Sequence, residues 1–254
     1  MRKTLSVAII TRNEESNLER TLGAISWADE IVIVDSGSSD RTQEIARRFH
    51  ARFFEEEWKG FARQKNSALD KCTSDWVLSL DADEAPSDQL AKEVWEVLHD
   101  EAALDGYSIP RRNLFLGRWI RFGGFYPDPK LRLFRRGSAE FERRPVHEKV
   151  HFVGKAGLLK GDLVHYAYPT LGSYIEHMDR YSTLGASLAA DAGIRSLGPV
   201  SFLVNVVLNP IATFIYNYIL RLGFLDGREG LLLHMYHSVY ISWKYAKAWE
   251  MSRS

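Results

Sequence analysis

The chain contains the stretch Trp76-Val77-Leu78-Ser79-Leu80-Asp81-Ala82-Asp83-Glu84, in which an almost uninterrupted apolar run leads into three carboxylates. A short continuous apolar run is typical of a strand that is buried on both faces, as strands of parallel sheets are. Three carboxylates within four residues repel one another unless a cation or solvent relieves the charge. The stretch therefore predicts a buried strand with an acidic cluster at its carboxyl end.

Strand and helix patterns alternate on both sides of this stretch. Residues 5–10 and 31–34 form two earlier apolar runs, and residues 107–116 and 130–134 are predicted as later strands. Helical patterns cover residues 17–25, 40–49, 61–69 and 87–98. Strands that alternate with helices predict an α/β fold, with a mostly parallel, twisted sheet flanked by helices.

Polar residues follow the predicted strands at the points where they end. Thr11, Asn13 and Glu14 follow the first strand, Asp35 the second, and Asp81 the strand at residues 76–80. Ligands of open parallel sheets bind beyond the carboxyl ends of the strands. The sequence has neither the glycine-rich dinucleotide fingerprint nor a P-loop. Any phosphate must therefore be bound by a metal ion and basic side chains.

The Asp81-Ala82-Asp83 motif is the candidate metal site. Mg²⁺ and Mn²⁺ prefer oxygen ligands and commonly bind through one or two carboxylates together with substrate phosphates. The alternative is a solvated acidic turn, in which Glu84 and Asp88 favour the start of the next helix. For Asp35 the alternative is likewise an ordinary turn. The position at the end of an apolar strand favours the metal site.

Further basic and histidine residues leave two interpretations open. Arg63 either reaches a ligand bound at this edge of the sheet or lies on a solvated helix face. His165 is either a further metal ligand or a buried core histidine. An arginine-rich segment either steadies a departing diphosphate or faces an anionic lipid or acceptor; its arginines are Arg132, Arg135, Arg136, Arg143 and Arg144.

Three segments together resemble glycosyltransferase family 2, the inverting enzymes with a GT-A fold. They are Ser6-Val7-Ala8-Ile9-Ile10-Thr11-Arg12-Asn13-Glu14-Glu15, Ile33-Val34-Asp35-Ser36-Gly37-Ser38-Ser39-Asp40-Arg41-Thr42 and Leu80-Asp81-Ala82-Asp83-Glu84. Val146-His147-Glu148 and Gly223-Phe224-Leu225-Asp226-Gly227 are similar to segments of the bacterial lipopolysaccharide core glycosyltransferases of the WaaE/KdtX type.

The resemblance implies a role for each matching residue in the binding of a nucleotide-sugar donor. Asp35 is expected to contact the nucleobase, usually uracil. Asp81 is expected near the ribose or the metal ion, and Asp83 is expected to be the principal metal ligand. The nucleoside pocket is expected to be lined by Thr11, Asn13 and Glu14.

The resemblance also implies a carboxylate base, which inverting members often carry in a Glu-Asp pair. This sequence has no such pair after residue 84. Glu148 is the best substitute, with His147 orienting it or the acceptor. The base accepts the proton of the acceptor hydroxyl as that hydroxyl attacks the anomeric carbon. The alternative for Glu148 is a surface ion pair with Lys149 or a nearby arginine.

Composition sets limits on the class of protein. The 254 residues, 29.1 kDa, suffice for one large domain or a core domain with an appendage. Because 33 basic and 33 acidic residues balance, no overall field predicts nucleic acid as a partner. The single cysteine, Cys72, excludes an intramolecular disulfide and a multi-cysteine zinc site. The N-terminal apolar run is too short for a signal peptide, which predicts a cytoplasmic protein.

The C-terminal third is predicted to be helical, and residues 197–220 carry no charge. This segment is long enough to cross a bilayer, but Pro210 would break or kink a helix near its centre. It is therefore a transmembrane helix, a pair of short core helices separated at Asn209-Pro210, or a helix lying in the membrane surface between Arg195 and Arg221. The last two in combination are favoured, and they predict a peripheral association with the membrane.

The sequence thus predicts a metal-dependent glycosyltransferase in three segments. Residues 1–105 bind the donor, residues 106–168 form the acceptor side with the base, and residues 169–254 form a helical C-terminal appendage. The expected reaction moves a hexose, glucose from a UDP-sugar, onto a lipopolysaccharide-core or other lipid-linked saccharide at the inner face of the cytoplasmic membrane. The alternatives are a nucleotidyltransferase and a non-catalytic, membrane-associated binding protein with the same fold.

Overall fold

The computed structural model describes residues 2–142, 150–194 and 196–253, and it divides into two compact units. Unit 1 comprises Met1–Arg112 and Asp128–Tyr166, and unit 2 comprises Asn113–Pro127 and Ala167–Ser254. These boundaries reflect compactness alone, so the three functional segments expected from the sequence stay predictions.

The secondary structure follows the predicted alternation. The strands are β1 Leu5–Thr11, β2 Glu30–Asp35, β3 Arg52–Glu55, β4 Trp76–Asp81, β5 Glu84–Pro86, β6 Gly106–Ile109, β7 Arg111–Phe115, β8 Arg118–Trp119, β9 Lys130–Arg135, β10 Ala139–Phe141, β11 Val150–Phe152, β12 Ala156–Leu158 and β13 Leu163–Tyr168. Helices α1 to α5 are Leu18–Ala24, Thr42–Arg48, Phe61–Asp70, Asp88–His99 and Leu171–Asp191, and two later helices are Pro199–Leu220 and Gly227–Met251.

Unit 1 is built on a mostly parallel sheet with the strand order β12-β6-β9-β4-β1-β2-β3. β1 pairs in parallel with both β2 and β4, so that Ile9 lies beside Ile33 on one side and Leu80 on the other. β9 runs antiparallel to both of its neighbours, β4 and β6. The α/β fold predicted from the sequence is confirmed.

Both faces of this sheet are covered, which explains the continuous apolar runs. Val7 and Ile9 pack into the core on one face, whereas Ala8 packs with Val32 and Val34 into the core on the other face. Successive side chains of a strand point to opposite faces, so a strand buried on both faces needs apolar residues at almost every position. The same arrangement brings the carboxyl ends of β1, β2 and β4 to one edge.

The predicted strand at residues 107–116 is divided into β6 and β7 at Pro110. Proline has no backbone N–H to donate to a strand neighbour, and it is confined to edges and interruptions of sheets. Ser87 begins α4 as predicted, because its hydroxyl accepts a hydrogen bond from the Leu90 N–H.

Unit 2 contains α5 and the two later helices. Asp226, which is 2% exposed, accepts backbone hydrogen bonds from Arg121 and Phe122 and so fixes the loop that begins there. His234 is 1% exposed and lies against Gly123, where a Cβ atom would come within 2.0 Å of its ring. A side chain at residue 123 is therefore incompatible with this packing.

Pro199–Leu220 runs through Pro210 as one helix, so the pair of short helices considered from the sequence is wrong. The turn before the proline is widened, and the Asn209 N–H bonds to the Val204 carbonyl, five residues back. A wide turn accommodates the proline, which has no N–H to contribute to the helix. By length and composition, the helix could cross a membrane, and only 6% of its most apolar window is buried.

Candidate active site

The carboxylate of Asp35 is held rigidly at the end of β2. Asp35 is 2% exposed, and its Oδ1 accepts hydrogen bonds from Thr11 Oγ1 at 2.7 Å and Ser38 Oγ at 2.6 Å. Its Oδ2 accepts the Ser38 N–H at 2.7 Å. The carboxylate therefore joins the ends of β1 and β2 to the loop after β2.

Asn13 is fixed to the same loop, and Glu14 is fixed to the start of the helix α2 that follows it. The Asn13 N–H donates to Ser38 Oγ and the Asn13 carbonyl oxygen Oδ1 accepts the Ser39 N–H, both at 2.8 Å. Asn13 has a φ of 56°, a left-handed conformation that asparagine tolerates better than most residues. The Glu14 N–H donates to Thr42 Oγ1 at 2.8 Å. The structure thus gathers Thr11, Asn13, Glu14 and Asp35 around the segment that joins β2 to α2.

Glu14 also lies within the electric field of the acidic cluster. Partial burial raises the pKa of Glu14 to about 7, with further increases from the charges of Asp83, Asp40 and Asp81, although the hydrogen bond from Asn17 opposes the rise. A carboxyl group with a pKa near 7 is poised between its charged and neutral forms. Added positive charge at this edge would favour the charged form of Glu14.

Asp81 is neutralised by two cations of the protein itself. Its Oδ1 lies 2.8 Å from Lys65 Nζ, and its Oδ2 lies 2.7 Å from Arg132 Nη2. Desolvation alone would raise the pKa of Asp81, but the charges of Arg132 and Lys65 outweigh it and hold the pKa well below its usual range. Asp81 is therefore a carboxylate whose two oxygens are already engaged.

Glu84 shares the guanidinium of Arg132. Glu84 is fully buried, and its Oε1 lies 2.8 Å from Arg132 Nη2 while its Oε2 accepts the Asp81 N–H at 2.9 Å. Arg111 Nη1 approaches the same Glu84 Oε1 at 3.6 Å. Burial lowers the pKa of Arg132, but Asp81 and Glu84 reverse this effect and raise it. The acidic turn after β4 is thus set on a buried ion-pair network.

Asp83 faces His165 instead of this network. Asp83 Oδ2 lies 3.3 Å from His165 Nε2, and the side chains are 26% and 15% exposed respectively. The antiparallel pairing of β5 with β13 places His165 opposite Glu84, and the Tyr166 N–H bonds to the Asp83 carbonyl at 2.9 Å. Burial lowers the pKa of His165, but the hydrogen bond and the charge of Asp83 outweigh it and raise the pKa. Two of the three predicted metal ligands, Asp83 and His165, are thus adjacent, whereas the third, Asp81, is engaged by Lys65 and Arg132.

These donors fit a divalent ion that completes its coordination with a ligand. Among residues 2–142, 150–194 and 196–253, no group of three or more His, Cys, Asp and Glu side chains is arranged to hold a metal ion. A carboxylate and an imidazole alone do not enclose an ion. Mg²⁺ and Mn²⁺ sites that bind nucleotides commonly take one or two protein ligands, with phosphate oxygens and water supplying the others. Asp83 and His165 match that kind of site.

From α3, the sequence predicted Arg63 as a donor-binding residue, whereas the structure brings Lys65 to the acidic turn. Arg63 is exposed, and Lys65 is 8% exposed with its ammonium on Asp81. The signal for Lys65 was its spacing, because Ala62, Lys65 and Ala68 lie three residues apart on the buried face of α3. His147 and Glu148, predicted as orienting residue and base, lie outside the described residues, as do Arg143 and Arg144.

A mostly parallel α/β sheet with carboxylates at the carboxyl ends of its strands is the architecture of the GT-A glycosyltransferases. A mannosyltransferase structure from Pyrobaculum calidifontis, in complex with GDP-Man and Mn²⁺, has the same fold: the TM-score is 0.56 at 20% identity, with 98% of this chain and 87% of that chain covered. The family described as glycosyl transferase family 2 matches residues 6–160. The chain belongs to this family and is a glycosyltransferase.

Relatives similar over most of the chain are also glycosyltransferases. The chain is 32% identical over 230 residues to the lipopolysaccharide core biosynthesis glycosyltransferase LpsC of Rhizobium meliloti, covering 88% of this chain and 82% of that protein. It is 30% identical over 194 residues to an uncharacterized glycosyltransferase of Rickettsia typhi, covering 71% of this chain and 66% of that protein.

Proposed function

We propose that the protein transfers a hexose, glucose from a UDP-sugar, with inversion onto a lipopolysaccharide-core or other lipid-linked saccharide. The observation that carries the donor assignment is the edge at the carboxyl ends of β2 and β4, the two strands that flank β1: Asp35 ends β2, and Asp83 follows β4 with His165 beside it. The similarity to LpsC, which is named for lipopolysaccharide core biosynthesis, supports the acceptor class.

Two groups of described residues bind different parts of the donor in this proposal. Asp35, Thr11, Asn13 and Glu14 form the nucleoside side of the edge, and Asp83 and His165 would hold a divalent ion, Mg²⁺ or Mn²⁺. When bound, such an ion supplies positive charge that stabilises a departing diphosphate. The Mn²⁺ in the similarly folded mannosyltransferase complex supports this assignment.

The ion-pair network has a different role in this proposal. Lys65 and Arg132 keep Asp81 charged and fixed in position, so that the Asp81–Glu84 turn presents Asp83 towards His165. Asp81 is then placed near the ribose or the ion without needing to move. A preorganised site of this kind avoids the cost of reorganising charged groups during the reaction.

The nucleotide-sugar assignment is tested with a panel of donors. UDP-glucose, UDP-N-acetylglucosamine and GDP-mannose are each mixed with the protein and Mg²⁺ or Mn²⁺, and donor hydrolysis and the shift in Tm are measured. We expect the largest rise in Tm and measurable hydrolysis with UDP-glucose. The proposal fails if no nucleotide sugar binds in the presence of either metal ion.

The resemblance to inverting family members implies a carboxylate base, and Glu148, oriented by His147, is the residue proposed for that role in place of the missing Glu-Asp pair. Glu148→Gln is expected to preserve donor binding and to remove transfer, since the amide cannot accept the proton of the acceptor hydroxyl. Donor affinity by calorimetry and transfer to the acceptor measure the two effects separately. Full transfer activity in this variant would place the base elsewhere.

We further propose that unit 2 rests on a lipid surface, at the inner face of the cytoplasmic membrane where donor and lipid-linked acceptor meet. Pro199–Leu220 exposes large apolar side chains along its length, including Val200 at 74%, Ile211 at 51% and Leu220 at 67%. Leu222, Phe224 and Leu225 continue this exposed apolar face beyond the helix. An uncharged exposed helix followed at once by Arg221 fits an interfacial position better than a water-facing one.

A double substitution on this face is expected to remove binding to vesicles. Ile211→Asp with Ile215→Asp places two charges on the exposed apolar face of the helix, where contact with the apolar part of the lipid is unfavourable for a carboxylate. Co-sedimentation with phosphatidylglycerol/phosphatidylethanolamine vesicles measures the effect. Val153→Asp, at an exposed apolar residue of unit 1, is the matched control. Unchanged sedimentation, or a wild-type dimer that the double variant dissociates, would contradict the proposal.

A further inference from the structure

Gln64 is a buried polar side chain that the ion-pair network does not use. It is 0% exposed, and neither its Nε2 nor its Oε1 has a hydrogen-bond partner among the residues that the structure describes. The hydroxyl of Ser36 is buried and unpaired within the same described ranges. A buried amide without partners destabilises a protein, so its presence calls for a compensating role.

The position of Gln64 on α3 places it near the carboxyl edge of the sheet. Ala68 and Cys72 pack against Ala8, Val32 and Val34 beneath the sheet. Gln64 lies four residues before Ala68, on the same helix face and one turn nearer the start of α3. Because α3 connects the parallel strands β3 and β4, it runs back along the sheet, and its start lies by the carboxyl ends of the strands.

Lys65, the next residue of α3, also lies at the carboxyl ends of the strands. The ammonium of Lys65 reaches Asp81, the last residue of β4, at 2.8 Å. Ser36 directly follows Asp35, the last residue of β2, and its N–H bonds to the Thr11 carbonyl at the end of β1 at 2.9 Å. Two buried polar groups that lack a hydrogen-bond partner among the described residues therefore belong to α3 and to the loop after β2, beside the predicted nucleoside edge.

The chemistry of an amide selects the part of a nucleotide that it suits. A neutral amide offers an N–H donor beside a carbonyl acceptor, and it cannot neutralise a diphosphate. The uracil base presents the complementary pair, an imide N–H beside a carbonyl. The Asp35 carboxylate can accept the imide N–H, but it has no donor for the carbonyl beside it, and its oxygens already accept hydrogen bonds from Thr11 and Ser38. The donor for that carbonyl must therefore come from another residue.

We infer that the side-chain amide of Gln64, assisted by the Ser36 hydroxyl, binds the nucleobase of the donor, a base that presents an N–H beside a carbonyl as uracil does. This inference rests on the proposed use of a nucleotide-sugar donor. It makes Gln64 a residue that is costly to the free protein and is satisfied by the ligand.

The test compares the effect of Gln64→Met on binding and on stability. Methionine keeps the length of the side chain and removes both polar atoms. We expect the affinity for UDP with Mg²⁺ to fall by about tenfold to a hundredfold, as for two lost hydrogen bonds, and the affinity for magnesium pyrophosphate to stay within about twofold. The Tm of the free variant is expected to equal or exceed that of the wild type, because the unpaired amide is gone. Gln64→Leu repeats the test with a different shape.

A matched control removes a buried polar atom that belongs to unit 2. The Tyr174 hydroxyl in unit 2 is also without a partner among the described residues, and Tyr174 is 2% exposed. Tyr174→Phe is expected to maintain or raise the Tm without changing UDP affinity. The inference is overturned if both Gln64 variants bind UDP as the wild type does, or if UDP and pyrophosphate weaken equally. Failure of the wild type to bind UDP would instead refute the proposed donor.

Discussion

Asp83→Asn is expected to reduce sugar transfer by about 10²- to 10³-fold while the protein stays folded. The substitution removes the negative charge beside His165 that would hold the divalent ion, and the stabilisation of charge that such an ion supplies amounts to several kcal/mol. Asp83 is 26% exposed and lies outside the buried pairs of Asp81 and Glu84, so the substitution leaves that ion-pair network intact.

The measurement is transfer from the donor identified in the panel, over a range of Mn²⁺ concentrations, together with the Tm. A higher metal requirement with an unchanged Tm is the expected signature. Asp88→Asn serves as the control, because Asp88 is an exposed carboxylate five residues away in the first turn of α4. Wild-type transfer by Asp83→Asn at low Mn²⁺ would rule out Asp83 as the principal metal ligand.

Arg132→Leu is expected to lower the free energy of unfolding by about 3 kcal/mol, since removal of one partner leaves buried charge uncompensated. Arg132 is 5% exposed and serves both Asp81 and the fully buried Glu84. The expected loss lies at the lower end of the usual range because Lys65 remains on Asp81 and Arg111 remains 3.6 Å from Glu84.

Urea unfolding monitored by circular dichroism measures this loss. Lys130→Ala is the matched control on the same strand, because Lys130 pairs with Asp128 at 2.8 Å while it is 47% exposed. An exposed pair of this kind contributes only about 0.2–1 kcal/mol. A loss in Arg132→Leu no greater than that in Lys130→Ala would show that the buried network does not stabilise unit 1.

The strand edge could be predicted because its signals are local in sequence. The apolar runs of β1, β2 and β4 each end directly at Thr11, Asp35 and Asp81, and parallel pairing brings those ends together. The prediction failed where it treated the C-terminal helix pattern at Pro210 as an interruption. There a widened turn accommodates the proline, and whether a helix widens or breaks depends on the backbone around it.

The partners of the acidic cluster could not be read from the sequence in the same way. Asp81, Asp83 and Glu84 look equivalent as three neighbouring carboxylates, and Arg132 is one of five arginines in its segment. Strand β9 brings Arg132 to Asp81 and Glu84 from a distance of about fifty residues along the chain. Only these contacts distinguish Asp81 and Glu84, whose charges are neutralised, from Asp83.

The sequence by itself determined the α/β fold and the edge of the sheet at which the acidic residues lie. Strand burial and the order of strands and helices can be predicted from local patterns of apolar and polar residues. Only the tertiary structure decided which of the clustered carboxylates are neutralised by Lys65 and Arg132, and which side chains, such as Gln64, are buried without a hydrogen-bond partner in the described part of the chain. Those properties arise from desolvation and from contacts between distant segments, and their energies exist only once the chain has folded.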